Sequence, residues 1–352
     1  MRDRLLSALS VLKAPGGGDI VGAGLVDDVQ VRDGLVQLVL RADRNWLKEM
    51  EALARSAEAL LKRQPGVLNA NVILTSHRPD KAAGAEPAAK PEPPTAGGEK
   101  FLTQVKHVIA VASGKGGVGK STVAVNMAAA LAGMGLRTGL IDADIYGPSL
   151  PRMIGVSRKP EVVGSTMQPI EMFGMRCMSI GFLVPEDQAM VWRGPMIMGA
   201  LTQMLGQTNW GPLDVMVVDL PPGTGDAQLT LSQKVAVSGA VIVSTPQDIA
   251  LIDARRGVAM FEKVGVRVLG VVENMSYFAC PHCGEVSTPF GHGGARHEAE
   301  KLRVPFLGEV PLLLDVRESG DAGRPIVLAA PESAGAQALR AIAARVWNEV
   351  TA

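Results

Sequence analysis

Cysteine is scarce: three in 352 residues, an odd number that does not fit a disulfide framework. Two of the three, Cys280 and Cys283, stand in "CPHC", a spacing that points to metal or redox chemistry instead. An excess of charge of one sign is also missing. Lys plus Arg and Asp plus Glu number 35 each, and no segment forms a basic stripe, so nonspecific nucleic-acid binding is disfavoured. No apolar run reaches the length of a membrane span, and the opening "MRDRLLSALSVLKAPGGG" is too charged and broken for a secretory signal. The expectation is a cytoplasmic protein with no nucleic acid and no membrane among its partners.

A chain of this length holds roughly two domains. Between Ser76 and Lys100, "SHRPDKAAGAEPAAKPEPPTAGGEK" is rich in Pro, Ala, Gly and charge and lacks any periodicity that would bury a face. Residues 77–103 are therefore expected to form a flexible linker. Residues 1–76 read as a small α+β domain: a helix from Arg2 to Leu12, two strands around a turn at Asp33-Gly34, a helix in "NWLKEMEALARSAEALLKRQ" and a third strand in "VLNANVILT". Over residues 104–352 the apolar runs "HVIAVA", "TGLIDAD", "DVMVVDLP", "GAVIVSTP" and "VRVLGVVEN" alternate with helical segments. That pattern predicts an α/β fold with a mostly parallel sheet covered on both faces, whose ligands sit at the carboxyl ends of the strands.

Polar motifs begin at those ends. "SGKGGVGKST", residues 113–122, lies between strand and helix and contains G-x-x-x-x-G-K-S, the phosphate loop. Gly114, Gly116, Gly117 and Gly119, with Val118, let backbone N–H groups turn onto an anion, helped by the positive end of the helix dipole. Lys120 reaches for the β- and γ-phosphates, and the Ser121 hydroxyl, followed by Thr122, is placed to ligate Mg²⁺. In "LIDADIYGPSLP", one of Asp142 and Asp144 can serve the Mg²⁺ shell while the other orients or deprotonates the attacking water. "VVDLPPGTGD" supplies Asp219 as the second metal-side acid, then Gly223 and Gly225, whose backbone can approach a γ-phosphate. Asn274, ending a strand, suits either the base edge of the nucleotide or a turn. There is no guanine-reading N-K-x-D element.

Lys115 is extra to the ordinary loop pattern. "GKGGVGKST" resembles the signature of the ATPase class that includes MinD, ParA, the arsenite-pump ATPase and nitrogenase iron protein. In that class the lysine crosses a two-fold interface onto the partner's nucleotide, a type of contact worth roughly 10³ to 10⁵ in rate. The resemblance implies an ATP-dependent homodimer. If two copies meet near their active sites, a Cys280/Cys283 pair from each can provide four thiolates to one bridging site. An iron–sulfur cluster, a structural zinc, a redox couple and a metal-free turn are all compatible with the pair itself. Cys177, in the apolar "MRCMSIGFLV", reads as a core residue.

With "GKGGVGKST", "DADIYGPSLP", "VVDLPPGTGD", "NMSYFACPHCGE" and "RESGDAGRPIV" in this order, the region from about Lys106 onward resembles the Mrp/ApbC family of iron–sulfur cluster carriers. The resemblance implies a [4Fe–4S] cluster held by Cys280 and Cys283 of a homodimer and transferred to apo-proteins, dealings with cluster assembly scaffolds, and slow ATP hydrolysis. The first 75 residues look like the small PaaD-type domain often fused ahead of such an ATPase. Two other functions fit the motifs: a MinD/ParA-like spatial-organising ATPase, and a zinc-stabilised regulatory ATPase.

Overall fold

In a computed structural model, which describes residues 2–15, 17–32, 35–41, 47–64, 67, 69–75, 101–183, 194–223 and 225–352, the chain divides into two compact units, Met1–Pro93 and Pro94–Ala352. The expected turn at Asp33-Gly34, and the expected linker up to Lys100, lie outside the described residues.

The first unit contains α1 (Arg2–Leu9), β1 (Val26–Arg32), β2 (Leu35–Arg41), α2 (Leu47–Lys62) and β3 (Asn69–Thr75). Its sheet has the order β1-β2-β3, with β1 antiparallel and β3 parallel to β2. The α1 helix stops at Leu9 rather than Leu12, because the Lys13–Asp19 bridge and the Ile20 N–H bond to the Leu12 carbonyl turn the chain back. Along α2, Met50, Leu53, Ala57 and Leu61 recur at helical spacing and are buried, facing a core that includes Leu5, Leu9, Leu38 and Leu40.

The second unit is built on one eight-stranded sheet. Its elements are β4 (Val105–Ala112), α3 (Lys120–Gly133), β5 (Thr138–Asp142), α4 (Leu150–Met153), the small hairpin β6 (Val162–Val163) and β7 (Thr166–Met167), β8 (Ile170–Met172), β9 (Met175–Ser179), α5 (Gly194–Gly206), β10 (Leu213–Asp219), α6 (Asp226–Lys234), β11 (Gly239–Ser244), α7 (Asp248–Lys263), β12 (Val268–Asn274), the hairpin β13 (Phe278–Ala279) and β14 (Val286–Ser287), α8 (Gly294–Leu302), β15 (Phe306–Val310), α9 (Leu314–Asp321), α10 (Ile326–Ala329) and α11 (Ala334–Thr351). The sheet order is β15-β12-β11-β4-β10-β5-β9-β8, parallel except for the edge pair β8–β9. Phe101 joins this unit, its N–H donating to the Lys234 carbonyl at 2.9 Å.

The five strands read from apolar runs are the five central ones. They are visible because burial on both faces demands uninterrupted β-branched sequence. The helix α3 is buried nearly all round, from Val123 to Leu131, because the sheet lies on one side and α10 and α11 on the other. The terminal α11 buries Leu339, Ile342, Ala343 and Val346, each large aliphatic contributing about 1.5–3 kcal/mol. Its apolar face is therefore spent on packing. Among the described residues no helix is long and apolar enough to cross a membrane.

Candidate nucleotide site and cysteine hairpin

Parallel pairing gathers the carboxyl ends of β4, β5, β10, β11 and β12 on one edge of the sheet. Asp219 stands in register with Asp142 on one side and Val111 on the other. The phosphate loop leaves β4 there and returns as α3. Gly117 and Gly119 adopt φ of 80° and 77°, the left-handed region that favours glycine. Gly114 has another reason to be glycine: a Cβ would lie 2.3 Å from the backbone of Asp253 on α7. The loop is tied to its neighbours, Ser113 Oγ donating to the Lys115 carbonyl at 2.9 Å and the Gly223 N–H to the Ser113 carbonyl at 2.8 Å.

Lys120 Nζ donates to Asp219 Oδ1 at 2.5 Å, with both side chains buried, and approaches Ser121 Oγ at 3.4 Å. Burial raises the Asp219 carboxyl above the usual range, against the pull of Lys120. Asp142 beside it is pushed up to about 7, first by burial and second by the Asp219 charge. Four donors converge on Asp142: the N–H of Asp144 on Oδ1, and the N–H groups of Ser149 and Leu150 and the Ser179 hydroxyl on Oδ2, all at 3.0–3.1 Å. These bonds fold residues 144–150 around one carboxylate. Asp144, half-buried, is raised chiefly by desolvation and accepts from the N–H groups of Gly147 and Tyr146. Of the two aspartates in "DAD", Asp142 is thus saturated by its own loop and by Ser179 at the end of β9.

Lys115 rests within its own chain, Nζ donating to Gln247 Oε1 at 3.3 Å just before α7. Asn274 lies under the phosphate loop, Nδ2 donating to the Val118 carbonyl at 2.8 Å and filling the space beside Gly119, where a Cβ would meet it at 2.1 Å. Its Oδ1 and the second hydrogen of the amide are the groups that can meet a base. Gln228 was invisible to sequence reasoning. From α6 its Nε2 donates to both the Pro221 and Gly223 carbonyls at 2.9 Å, holding residues 221–223 in place. Glu273 was missed too, although a carboxylate inside an apolar strand is itself a signal. It is completely buried and accepts from Ser276 Oγ at 2.9 Å and from the N–H groups of Gly293 at 2.9 Å and Ala295 at 2.7 Å.

Cys280 and Cys283 occupy the tip of the β13–β14 hairpin. The Cys280 N–H donates to the Glu285 carbonyl and the Gly284 N–H to the Cys280 carbonyl, each at 2.9 Å, and Gly284 takes φ 74° to close the turn. Cys280 is half-buried and Cys283 exposed. Hydrogen bonds from the backbone N–H groups of Cys283 and His282, then from the Cys283 thiol, lower the Cys280 thiol below its ordinary value. Cys177 differs: it is buried in β9 and burial pushes it up to about 12. His292 pairs with Glu309 at 3.1 Å and His297 with Glu300 at 3.8 Å.

Comparison with known proteins agrees with this architecture. Residues 104–347 match the family described as NUBPL iron-transfer P-loop NTPase, and residues 2–72 match the family described as iron-sulfur cluster assembly protein. The iron-sulfur cluster carrier protein of Synechocystis is 45% identical over 338 residues, covering 94% of this chain and 92% of its own. Among solved structures, a nucleotide-binding protein from Archaeoglobus fulgidus in complex with ADP is 41% identical, with a TM-score of 0.57 over 64% of this chain and 89% of its own. The cell division ATPase MinD of Pyrococcus furiosus shares the fold at 22% identity, with a TM-score of 0.53 over 69% of this chain and 99% of its own. A phosphate loop and its aspartates at the end of the large sheet, with a cysteine pair on the hairpin that follows β12, thus accompany matches over both units, and the chain belongs to the NUBPL family of iron-transfer P-loop NTPases.

Proposed function

We propose that this chain is an ATP-dependent iron–sulfur carrier that works as a homodimer, holds a [4Fe–4S] cluster between two Cys280/Cys283 pairs and passes it to apo-proteins. The observation that carries this reading is the coexistence, at one sheet edge, of a complete phosphate loop and an exposed dithiol hairpin. Two thiolates per chain make a labile half-site, which a better-coordinating acceptor can empty. The relatives' names as iron–sulfur cluster carriers support the cargo.

For ATP, the loop N–H groups and α3 cradle the phosphates, and Lys120 exchanges Asp219 for the β- and γ-oxygens. Ser121 and Asp219 offer the oxygen donors that suit Mg²⁺, which would neutralise phosphate charge when bound. Water attacks the γ-phosphorus as the bond to the bridging oxygen breaks, giving ADP and phosphate. Asp144 orients this water, while Asp142 holds the loop that presents Asp144. Asn274 Oδ1 accepts from the amino group of adenine. Lys115 leaves Gln247 and reaches the partner's nucleotide. Exposed apolar side chains on the same edge, Tyr146, Ile249 and Ile252, support an interface there.

Anaerobic reconstitution with iron and sulfide is the test, followed by absorbance and by transfer to an apo-enzyme. The wild-type dimer is expected to bind one cluster and Cys280→Ala none. A cluster that forms equally well in Cys280→Ala would sink the reading.

A further inference from the structure

The cysteine hairpin and the phosphate loop meet at two adjacent residues. Successive side chains of a strand point to opposite faces, and the last two of β12 use both. Asn274 donates to the Val118 carbonyl of the phosphate loop. Glu273, on the other face, accepts from the N–H groups of Gly293 and Ala295, where the excursion carrying the cysteines returns into α8. The outgoing foot of that excursion is held on the same carboxylate: Ser276, fully buried, donates from Oγ to Glu273 Oε1 at 2.9 Å, with Glu309 Oε2 at 3.2 Å. The Ser276 N–H bonds to Val310 on β15, and the Tyr277 carbonyl accepts from Leu312.

Between the two anchors sits Met275, a non-glycine residue at φ 56°. Its Cε lies 3.6 Å from where a Gly119 Cβ would stand, against the same glycine that Asn274 packs on. A left-handed conformation in a long side chain is strained and persists only where its surroundings hold it. Here the phosphate loop is one of those surroundings. Movement of Val118 and Gly119 passes through one hydrogen bond to Asn274, and from there through the backbone to Ser276 and through the Glu273 carboxylate to Gly293 and Ala295, and Cys280 lies six residues beyond Asn274.

We propose that Glu273, Asn274, Met275 and Ser276 act as positioning residues that couple phosphate-loop occupancy to the exposure of the Cys280/Cys283 pair. The proposal rests on the reading of the loop as a nucleotide site and concerns the thiols whether or not a cluster is their cargo. Coupling of this kind is reciprocal, so nucleotide alters the hairpin by the factor with which hairpin ligands alter nucleotide affinity.

The test uses the full-length, metal-free chain and iodoacetamide, with and without Mg²⁺ and a non-hydrolysable ATP analogue. Cys177 is buried and stays silent, so the labelling rate reports the pair. In wild type the analogue is expected to change the rate by about fivefold or more. In Ser276→Ala, which does not touch the loop, the response is expected to fall below about twofold while analogue affinity and self-association stay as in wild type. Met275→Gly, which suits its left-handed backbone and removes the methyl against Gly119, is expected to blunt the response by a separate route. An unaltered response in both variants overturns the proposal, since it means that subunit contact alone screens the thiols. So does a wild-type rate indifferent to bound analogue. Failure of the analogue to bind would instead sink the nucleotide reading and the coupling with it. Failure of cluster reconstitution beside an intact labelling response sinks the cargo reading and leaves the coupling standing.

Discussion

The phosphate edge and the cysteine hairpin are built in opposite ways, although eight residues or fewer separate Asn274 from either thiol. At the phosphate edge, Lys120, Asp142 and Asp219 are all at most 6% exposed and each is held by specific partners. The hairpin is two short strands, exposed from Pro281 through Pro289 and closed by a few backbone bonds. Preorganised dipoles stabilise developing charge best when fixed and shielded from water. A site that surrenders its cargo needs the reverse: access, few ligands and freedom to move.

The comparison breaks most visibly at Lys115. If it acts on the partner's nucleotide, Lys115→Ala lowers ATP hydrolysis by about 10³-fold or more with the fold intact, as phosphate release against circular dichroism would reveal. Next in size is Asp219→Ala. It strands the Lys120 ammonium in a buried setting and is expected to cost about 3–5 kcal/mol in urea unfolding. Within the loop itself, Gly114→Ala drives a methyl into the Asp253 backbone and is expected to cost about 1–3 kcal/mol, whereas Gly116→Ala meets nothing within 4 Å and is near neutral.

A smaller effect concerns pH. Burial lifts Asp142 from 3.8 to about 7, so folding favours its protonated form. That contribution is complete below about pH 4 and is lost as the pH rises through 7. Asp142→Asn is therefore expected to flatten the fall in stability between pH 4 and pH 8, read from urea midpoints. Smallest is Cys283→Ser: an exposed thiol at a hairpin tip should change stability by less than about 0.5 kcal/mol while abolishing cluster binding. A large loss of stability there would show that the hairpin is part of the scaffold after all.

Much of this was legible in one dimension. The central strands announce themselves because double-sided burial demands continuous apolar sequence, and Lys120, Asp219 and the glycines follow from the geometry of an anion held by backbone. The edge strands β8 and β15 were not read, being short and half-covered, and so lacking a full apolar run. Asn274 carried two readings that only its partner, Val118, could weigh. Gln228 and Ser276 have no local signature, since a buried amide or hydroxyl is identified by what it bonds.

By itself the sequence determined the alternation of strands and helices, the loop with its extra lysine, the order of the aspartates and the presence of a lone dithiol. Those are properties of neighbours, set by periods of two or 3.6 residues and by backbone conformation within a turn. Tertiary structure alone decided that Asp142 is saturated by Ser149, Leu150 and Ser179, that Lys115 rests on Gln247, and that Glu273 and Asn274 face the hairpin and the phosphate loop from one strand end. The physical reason is distance along the chain. Asn274 and Val118 stand 156 positions apart, and only the order of strands in the sheet brings them within a hydrogen bond.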